Sequence, residues 1–240
     1  NAAAQGDLYA MLRLSRSSND LCSAMKNCPS DSKSAWDWLQ QAREQAKARA
    51  EAGDAEAMYV MYLATTELEW LEKSAEADYA PAQYLLANRY LEGNGFFFPP
   101  WNRSKKAEEL LKSSAEGGYA KAMGQYMGVL HERGDLKGAR YWLEQAAAQG
   151  SQAAVGSYGA YLAHTPDQLG YPLDLVKGYG LVSLLLELDG GGGVEEYVAD
   201  KLELIAAKMT PEQIEEAKAF AKEWKASHPP LSFFPDKLGF

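Results

Sequence analysis

Apolar and polar positions follow one recurring order along this chain. Two large apolar residues, a polar stretch and a cluster of small residues succeed each other, and the order then repeats. Pairs beginning at Trp70, Leu110 and Trp142 each lie eight residues ahead of a turn residue, which is Asp78, Gly118 or Gly150. No clean alternation typical of strands interrupts this order. The pattern predicts an all-α chain in which helices pack through large residues at one fixed place in every unit, with the tryptophans as core residues.

A nine-residue phrase marks the corner of each unit. It occurs five times, at Ala3–Met11, Ala50–Met58, Ala75–Gln83, Ala115–Met123 and Ala147–Val155, and it turns on Gly6, Gly53, Asp78, Gly118 and Gly150. Glycine tolerates the left-handed conformation of a helix C-cap, and the alanines that follow favour a new helix. Repetition at this period is typical of arrays of helix pairs that bury a core between neighbouring units.

The spacing changes once, in the first repeat. Gly53 follows Trp38 by fifteen residues rather than eight, and the extra residues fall in the run of helix formers Gln41–Ala50. Seven residues are about two helical turns, so the pattern predicts a longer second helix in the first pair.

The third repeat carries a family resemblance. The segments A-Q-Y-L-L-A-N-R-Y-L-E-G-N-G (Ala82–Gly95) and K-K-A-E-E-L-L-K-S-S-A-E-G-G (Lys105–Gly118) resemble the Sel-one-like repeat (SLR) family, a relative of the tetratricopeptide repeat. The matching positions are Ala82, Leu86, Tyr90, Gly93, Gly95, Lys106, Ala107 and Ala115, whereas Asn102 and Leu110 depart from the family pattern. The resemblance implies a right-handed α/α solenoid of about five SLR helix pairs plus C-terminal capping helices, in one domain over residues 1–227.

The end of the chain differs in composition. Thr210, Pro211 and Gln213 predict the start of a last helix with a capping box. Residues 228–240 contain three prolines, which exclude a regular helix there. We expect this tail to fold back on the last helices, the alternative being that its apolar residues occupy a partner's groove.

The net charge and the start of the chain restrict the partners and the compartment that we expect. The net charge of −9 and the dispersed lysines argue against nucleic acid and anionic membrane surfaces as partners. No stretch approaches the ~20 apolar residues of a transmembrane helix. Because the chain begins at Asn1, inside a repeat phrase, we expect that a preceding segment has been removed, and a lipid anchor on that segment is compatible with the sequence.

The two cysteines share one short polar loop. Cys22 and Cys28 are the only cysteines, and we predict a disulfide between them, which indicates an oxidising compartment such as the Gram-negative periplasm. The alternative is two free thiols in a cytosolic protein. A zinc site is not expected, because two further ligands are missing and the three histidines lie far apart in sequence.

No motif for catalysis is present. The chain lacks a G-x-S-x-G elbow, a P-loop, an H-E-x-x-H helix and a dinucleotide fingerprint. The glycine run 190–193 follows a helix and lacks the Lys-Ser/Thr of a P-loop, so a corner is the simpler interpretation. The sequence therefore predicts a protein that is not an enzyme and that uses no cofactor and no metal.

Aromatic residues are the candidate binding residues. On the first helices of the pairs, which line the concave face of a right-handed array, we expect Tyr59, Tyr62, Tyr84 and Tyr126 to contact a protein partner. The second feature is F-F-F-P-P-W (Phe96–Trp101), from which we select Phe97, Phe98 and Trp101. These rings either cap a gap between units or form a protruding apolar patch.

Three functions fit these features. SLR proteins of bacteria include immunity proteins that neutralise antibacterial effectors such as lipases and phospholipases of type VI and other contact-dependent secretion systems. The resemblance therefore implies a periplasmic, non-catalytic inhibitor of one toxic protein partner. A periplasmic regulatory adaptor is the alternative. The third is an enzyme that binds or hydrolyses penicillin-like compounds, which the missing nucleophile–base pair disfavours.

Overall fold

The structure is a computed structural model that describes residues 2–16, 33–188, 194–231 and 237. The predicted disulfide partners Cys22 and Cys28, and the glycine run 190–193, lie outside these residues. Twelve α-helices and two short 3-10 helices, Ala3–Gln5 and Leu184–Glu187, make up the secondary structure of the described part, which contains no strand. The α-helices are α1 (Leu8–Arg16), α2 (Ala35–Glu51), α3 (Ala55–Thr65), α4 (Leu68–Glu76), α5 (Ala80–Leu91), α6 (Asn102–Glu116), α7 (Ala120–Glu132), α8 (Leu136–Ala148), α9 (Gln152–Leu162), α10 (Leu175–Ser183), α11 (Val194–Ala206) and α12 (Pro211–Ser227).

The chain divides into two compact units, and the division falls within α6. The first comprises residues 1–110 and 234–240, the second residues 111–233. In the first unit consecutive helices pack on each other from α1 on α2 to α4 on α5. In the second unit they do so from α7 on α8 to α10 on α11, and α12 returns to pack on α10. This neighbour-to-neighbour packing is typical of repeat proteins. The single domain over residues 1–227 stays a prediction.

All five predicted corners adopt the left-handed backbone conformation. The φ angles are 95° at Gly6, 95° at Gly53, 58° at Asp78, 87° at Gly118 and 77° at Gly150. At the last four corners the turn residue donates its N–H to the carbonyl three residues back. The next residue donates to the carbonyl five residues back, for example from Tyr119 to Ser114 at 3.1 Å. This is the hydrogen-bond pair of a Schellman motif.

Asp78 is the one corner residue that is not glycine. A left-handed conformation is unfavourable for a residue with a Cβ, although aspartate tolerates it better than most. Its Oδ1 accepts a hydrogen bond at 3.1 Å from Nε2 of Gln83, which is buried and also donates to the carbonyl of Ala75 at 3.3 Å. The side chain of the following helix therefore holds the corner where glycine is missing.

The large residues of the second helices keep their predicted register but not all of their predicted burial. Leu71, Leu111 and Leu143 are at most 1% exposed. Trp70 and Trp142, the first members of their pairs, are only half-buried. The expectation that the tryptophans are the core anchors is therefore corrected: the leucine that follows lies about 100° further round the helix and faces the neighbour.

The second helix of the first pair is longer, as predicted. Helix α2 has 17 residues, whereas α4 has 9. Its buried face consists of Ala42, Ala46 and Ala50, four residues apart. Such small residues let the neighbouring helices α1 and α3 approach closely.

Glycines bring helices together in the second unit. A Cβ at Gly159 of α9 would lie 2.9 Å from the carbonyl oxygen of Gly178 in α10. A Cβ at Gly180 would lie 2.8 Å from the carbonyl oxygen of Ala217 in α12. Residues from α10, α11 and the 3-10 helix, including Val182, Leu185, Val198 and Ile205, form the core cluster beside these contacts.

The start of the tail packs on the second unit. His228 stacks on the indole of Trp224, with ring centroids 3.7 Å apart. Pro229 lies against the corner at Gly150, and Leu231 packs on the core cluster. The more distant Lys237 belongs to the first unit. Helix α12 begins with the capping box that Thr210 and Gln213 predict.

Candidate functional site

The most exposed aromatic residues of the described chain lie in the loop between α5 and α6. We call residues 93–101 the aromatic loop. Phe96 is 93% exposed, Phe98 is 84% exposed and Trp101 is 73% exposed. Of the two interpretations left open by the sequence, a cap over a gap and a protruding apolar patch, the exposure of these three rings supports the patch.

Phe97 is different, because it anchors the loop. Its half-buried ring meets the ring of Tyr90 edge to face, with centroids 4.8 Å apart. The guanidinium of Arg103 lies 5.6 Å from the centre of the same ring, and Nη2 of Arg103 donates to the carbonyl of Gly95 at 3.2 Å. Tyr90 and Arg103 therefore already cover part of the Phe97 ring, and the contact of Phe97 with a partner stays a prediction.

Gly95 leaves the space in which the rings of Tyr90 and Phe97 meet. It has a φ of 79°, and a Cβ there would lie 3.0 Å from Cε1 of Tyr90 and 3.1 Å from Cε2 of Phe97. Tyr90 donates from its hydroxyl to Oε1 of Glu72 at 3.2 Å. Burial, with Glu72 as the second cause, raises the pKa of Tyr90 to about 12. The hydroxyl therefore remains protonated at neutral pH and keeps its bond to Glu72.

Hydrogen bonds fix both ends of the aromatic loop. Asn94 donates to the carbonyl of Arg89 from its main chain at 3.0 Å and from its side chain at 3.1 Å. At the other end, the N–H of Asn102 donates to the carbonyl of Pro99 at 3.1 Å, which starts α6. The backbone that carries the exposed rings is therefore already ordered, which reduces the entropy lost on binding.

The tyrosines of the first helices are mostly core residues. Tyr59 is 4% exposed, Tyr62 is 7% and Tyr126 is 9%, and Tyr84 is half-buried. Neighbouring helices cover the three buried rings, so little of their surface is open to a partner, and their role in partner binding stays a prediction. Tyr62 accepts a hydrogen bond from Nε of Arg89 at 2.7 Å, and Tyr126 meets Trp142 edge to face at 5.8 Å. A role for Tyr84 in partner binding stays a prediction.

A polar cluster on the first helices was not predicted. The hydroxyl of Tyr9 donates to Oε1 of Glu56 at 3.1 Å and lies 3.3 Å from the hydroxyl of Tyr79. Nζ of Lys237 donates to the same Glu56 oxygen at 2.6 Å and lies 5.0 Å from the centre of the Tyr9 ring. The tail lysine is thus held by one carboxylate and one aromatic face.

The pKa shifts in this cluster follow from burial and the shared bonds. Burial, followed by the bond with Tyr79, raises the pKa of Tyr9 far above its ordinary value. Burial alone would also raise the pKa of Glu56, but bonds from Lys237, Tyr9 and Tyr79 outweigh it and lower that pKa. The bond to Glu56 raises the pKa of Lys237. The pair is therefore an ammonium–carboxylate pair at neutral pH.

The sequence contained a signal for the Tyr9–Glu56 contact. Both residues lie three positions after the turn residue of their phrase, Gly6 and Gly53 respectively. Equivalent positions of adjacent repeats are neighbours in a stacked array, so alignment of the phrases indicates the pair. Nothing in the sequence pattern places Lys237 there.

The match to protein families follows the same repeats. The Sel1 repeat model matches residues 9–47, 68–79, 80–119 and 121–151, together just over half of the chain. The chain belongs to the Sel1 repeat family. Proteins of this family are in general non-catalytic protein-interaction scaffolds with the SLR α/α solenoid fold, which confirms the fold predicted from the sequence.

Two solved structures are similar to this chain, and the first of them shows the same fold. One is a protective antigen present in uropathogenic Escherichia coli strains, described as displaying an SLR fold, with a TM-score of 0.63 and 20% identity over 95% of this chain. This chain spans about half of that protein, 48% of its length. A Sel1 repeat protein from Oxalobacter formigenes has a TM-score of 0.47 at 20% identity, covering 95% of this chain and 86% of its own. No curated protein matches the sequence.

Membrane-spanning helices and metal-binding clusters are both absent from the described residues. Among them, no helix combines the length and apolarity required to cross a membrane. Within the same residues, no three or more histidine, cysteine, aspartate or glutamate side chains converge as a metal ion would require.

Proposed function

We propose that this Sel1 repeat protein is a non-catalytic, immunity-type inhibitor that binds and neutralises a toxic secreted effector, such as a lipase or phospholipase of a type VI secretion system. The observation that carries the proposal is the aromatic loop, where Phe96, Phe98 and Trp101 are exposed on an anchored backbone. Family membership supplies the general role of protein-interaction scaffold. The specific partner class is the step that we add.

The exposed rings have the chemistry of a binding hot spot. Exposed apolar patches on soluble proteins frequently mark interaction sites. Buried aromatic residues at the centre of an interface typically carry ≥ ~2 kcal/mol each. Since Phe97 and Arg103 hold the loop before a partner arrives, little ordering is needed on binding.

Charge and compartment complete the proposal. The net charge of −9 favours fast encounter with a basic partner surface. We place the protein in the periplasm of a Gram-negative bacterium, where an antibacterial effector acts on the envelope. A disulfide between Cys22 and Cys28 is part of this proposal, because the periplasm allows such bonds to persist. The disulfide is tested by comparing the mass of protein alkylated without reduction with the mass of protein that is first reduced and then alkylated.

The test begins with an affinity pull-down of the full chain from the native cell envelope, followed by mass spectrometry and purification of the protein that co-purifies. The variant Phe96→Ser/Phe98→Ser/Trp101→Ser is then compared with the parent. We expect binding of the purified partner to weaken at least 100-fold, since three central aromatic contacts are lost. Inhibition of the partner's toxicity should be lost in parallel.

A matched control removes exposed apolar residues elsewhere. Trp36, Tyr141 and Leu173 are 63%, 54% and 57% exposed, and replacing all three by Ser should leave binding unchanged. Equal binding by the loop variant and the parent would assign the loop a purely structural role. A purified partner without toxic activity would overturn the immunity function and favour the periplasmic adaptor.

A further inference from the structure

A concave site lies in the second unit, far from the aromatic loop in sequence. It is a pocket of about 490 Å³ between α9, α11 and the segment 182–185. Its volume lies within the range of roughly 300–1,000 Å³ that small-molecule sites occupy. We propose that this pocket binds an apolar monocarboxylate, with Lys201 holding the carboxylate and the inner wall holding the aliphatic or aromatic body.

The hollow arises from the sequence of α9. At six positions after the turn residue, the repeats carry Leu12, Tyr59, Tyr84, Gly124 and Gly156 in chain order. Gly156 therefore stands where two other repeats place a tyrosine, and Ser157 and Ala160 add two more small side chains to the same face. Leu185 forms one border of the hollow, since a Cβ at Gly156 would lie 2.8 Å from its Cδ1.

The inner wall is apolar and well packed. Val182 is 3% exposed, Leu185 is 8% and Val198 is 1%, and all three line the pocket as well as belonging to the core cluster. Ala153 and Ala160 of α9 also line the pocket. A ligand body that enters this space meets hydrocarbon from these residues, which favours an aliphatic or aromatic group.

The rim offers mainly hydrogen-bond donors. Nζ of Lys201 donates to the carbonyl of Thr165 at 2.9 Å, which leaves two of its three N–H bonds for other acceptors. The hydroxyl of Tyr161 donates to Oε1 of Gln168 at 3.0 Å, so the amide group of Gln168 keeps its own N–H donors. Burial raises the pKa of Tyr161, which keeps that hydroxyl protonated and the bond to Gln168 intact.

The charge of Lys201 selects the ligand head group. Within the described residues, no carboxylate forms an ion pair with Lys201, although many other lysines of the chain have such a partner. The ring of Tyr197 lies 5.5 Å from Nζ and shields one side of the ammonium group. A single carboxylate at the rim would complete this site, and hydrogen bonds to charged groups are stronger than those between neutral groups.

The test measures binding of decanoate to the full chain by isothermal titration calorimetry and by saturation-transfer NMR. Decanol, which has the same body without the charge, should bind at least tenfold more weakly. N-acetylphenylalanine is a second probe, because the same head and body could come from a peptide C-terminus. Tighter binding of decanoate assigns the site to fatty acids, and tighter binding of N-acetylphenylalanine assigns it to peptide ends.

Two variants locate the binding site. Lys201→Met keeps an unbranched side chain one atom shorter and without the charge, and should weaken decanoate binding about tenfold, whereas Lys208→Met, at an exposed position, should leave it unchanged. Ala160→Leu fills the pocket and should abolish binding, with unchanged helicity by circular dichroism. Absence of binding by both probes, or equal binding by Lys201→Met, overturns the proposal. Neither result affects the aromatic loop, because the two sites share no residue.

Discussion

Two sets of aromatic residues in the first unit face opposite environments. Tyr59, on a first helix, is 4% exposed, whereas Phe98, in the aromatic loop, is 84% exposed. The more polar residue is the buried one. The comparison shows that position within the repeat, rather than residue type, decides which aromatic ring is available to a partner.

The difference has a structural cause. Tyr59 lies in the middle of α3, which packs against both α2 and α4, and its ring lies 5.5 Å from that of Tyr79. Phe98 precedes two prolines in a loop, and prolines prevent a helix that would turn its ring toward a neighbour. Helical positions are covered by the next repeat, while loop positions are not.

The largest effect is expected from Tyr59. Replacing Tyr59 by Ala removes a buried ring between packed helices and should lower the free energy of unfolding by about 3–5 kcal/mol. Chemical denaturation followed by circular dichroism measures this value. Tyr59→Phe is the matched control: it keeps the ring and removes only the hydroxyl, so it should cost less than about 1.5 kcal/mol. A loss below about 1 kcal/mol for Tyr59→Ala would mean that the ring is not a core residue.

A pH dependence distinguishes Tyr90, on which the aromatic loop packs, from the exposed rings of the loop. The pKa of Tyr90 is raised to about 12 in the folded state, above the ordinary value of 10.0. The unfolded chain therefore loses this proton at lower pH, so the stability that Tyr90 contributes is complete below pH 10 and is lost as the pH rises through about 12. At about 1.4 kcal/mol per pKa unit, the full loss is about 3 kcal/mol.

The variant Tyr90→Phe isolates this contribution. Other buried tyrosines also titrate at high pH, so the quantity to measure is the difference between parent and variant in denaturation curves from pH 9 to pH 12. The parent should lose more stability than Tyr90→Phe across this range. Parallel curves would show that Tyr90 ionises equally easily in the folded and unfolded chain.

Much of the fold was predictable because it depends on local chemistry. Gly6, Gly53, Gly118 and Gly150 all take the left-handed conformation that their place in the phrase predicts. Asp78 does so as well, but the bond from Gln83 that supports it was not predicted. A corner depends on neighbouring residues in sequence, whereas the burial of Trp142 depends on how the next helix is placed against it.

The candidate site was less predictable for the same reason. The sequence indicates that Phe96–Trp101 is an aromatic loop, yet it does not distinguish Phe97, which packs on Tyr90, from Phe98, which is exposed. That distinction rests on the positive φ of Gly95 and the reach of Arg103. The pocket at Lys201 was not predictable from the sequence either, because its lining residues come from helices that lie far apart in the chain.

The smallest effect is expected at Phe98, and it is most informative beside its neighbour. Phe98→Ala should change the free energy of unfolding by at most about 0.5 kcal/mol, as for a surface substitution. Phe97→Ala should cost about 1–2 kcal/mol, because it removes the edge-to-face contact with Tyr90 and the contact with Arg103. Both values come from the same denaturation experiment.

The pair of values tests whether one loop contains both a structural and a binding ring. Because Phe97 and Phe98 are adjacent and chemically identical, any difference between them reflects their environment alone. A cost for Phe98→Ala as large as that for Phe97→Ala would mean that the exposed ring is packed in solution, and the patch would then not be free for a partner. A cost near zero for Phe98, with a measurable cost for Phe97, leaves the exposed rings without a role in stability and therefore points to binding as the reason for their presence.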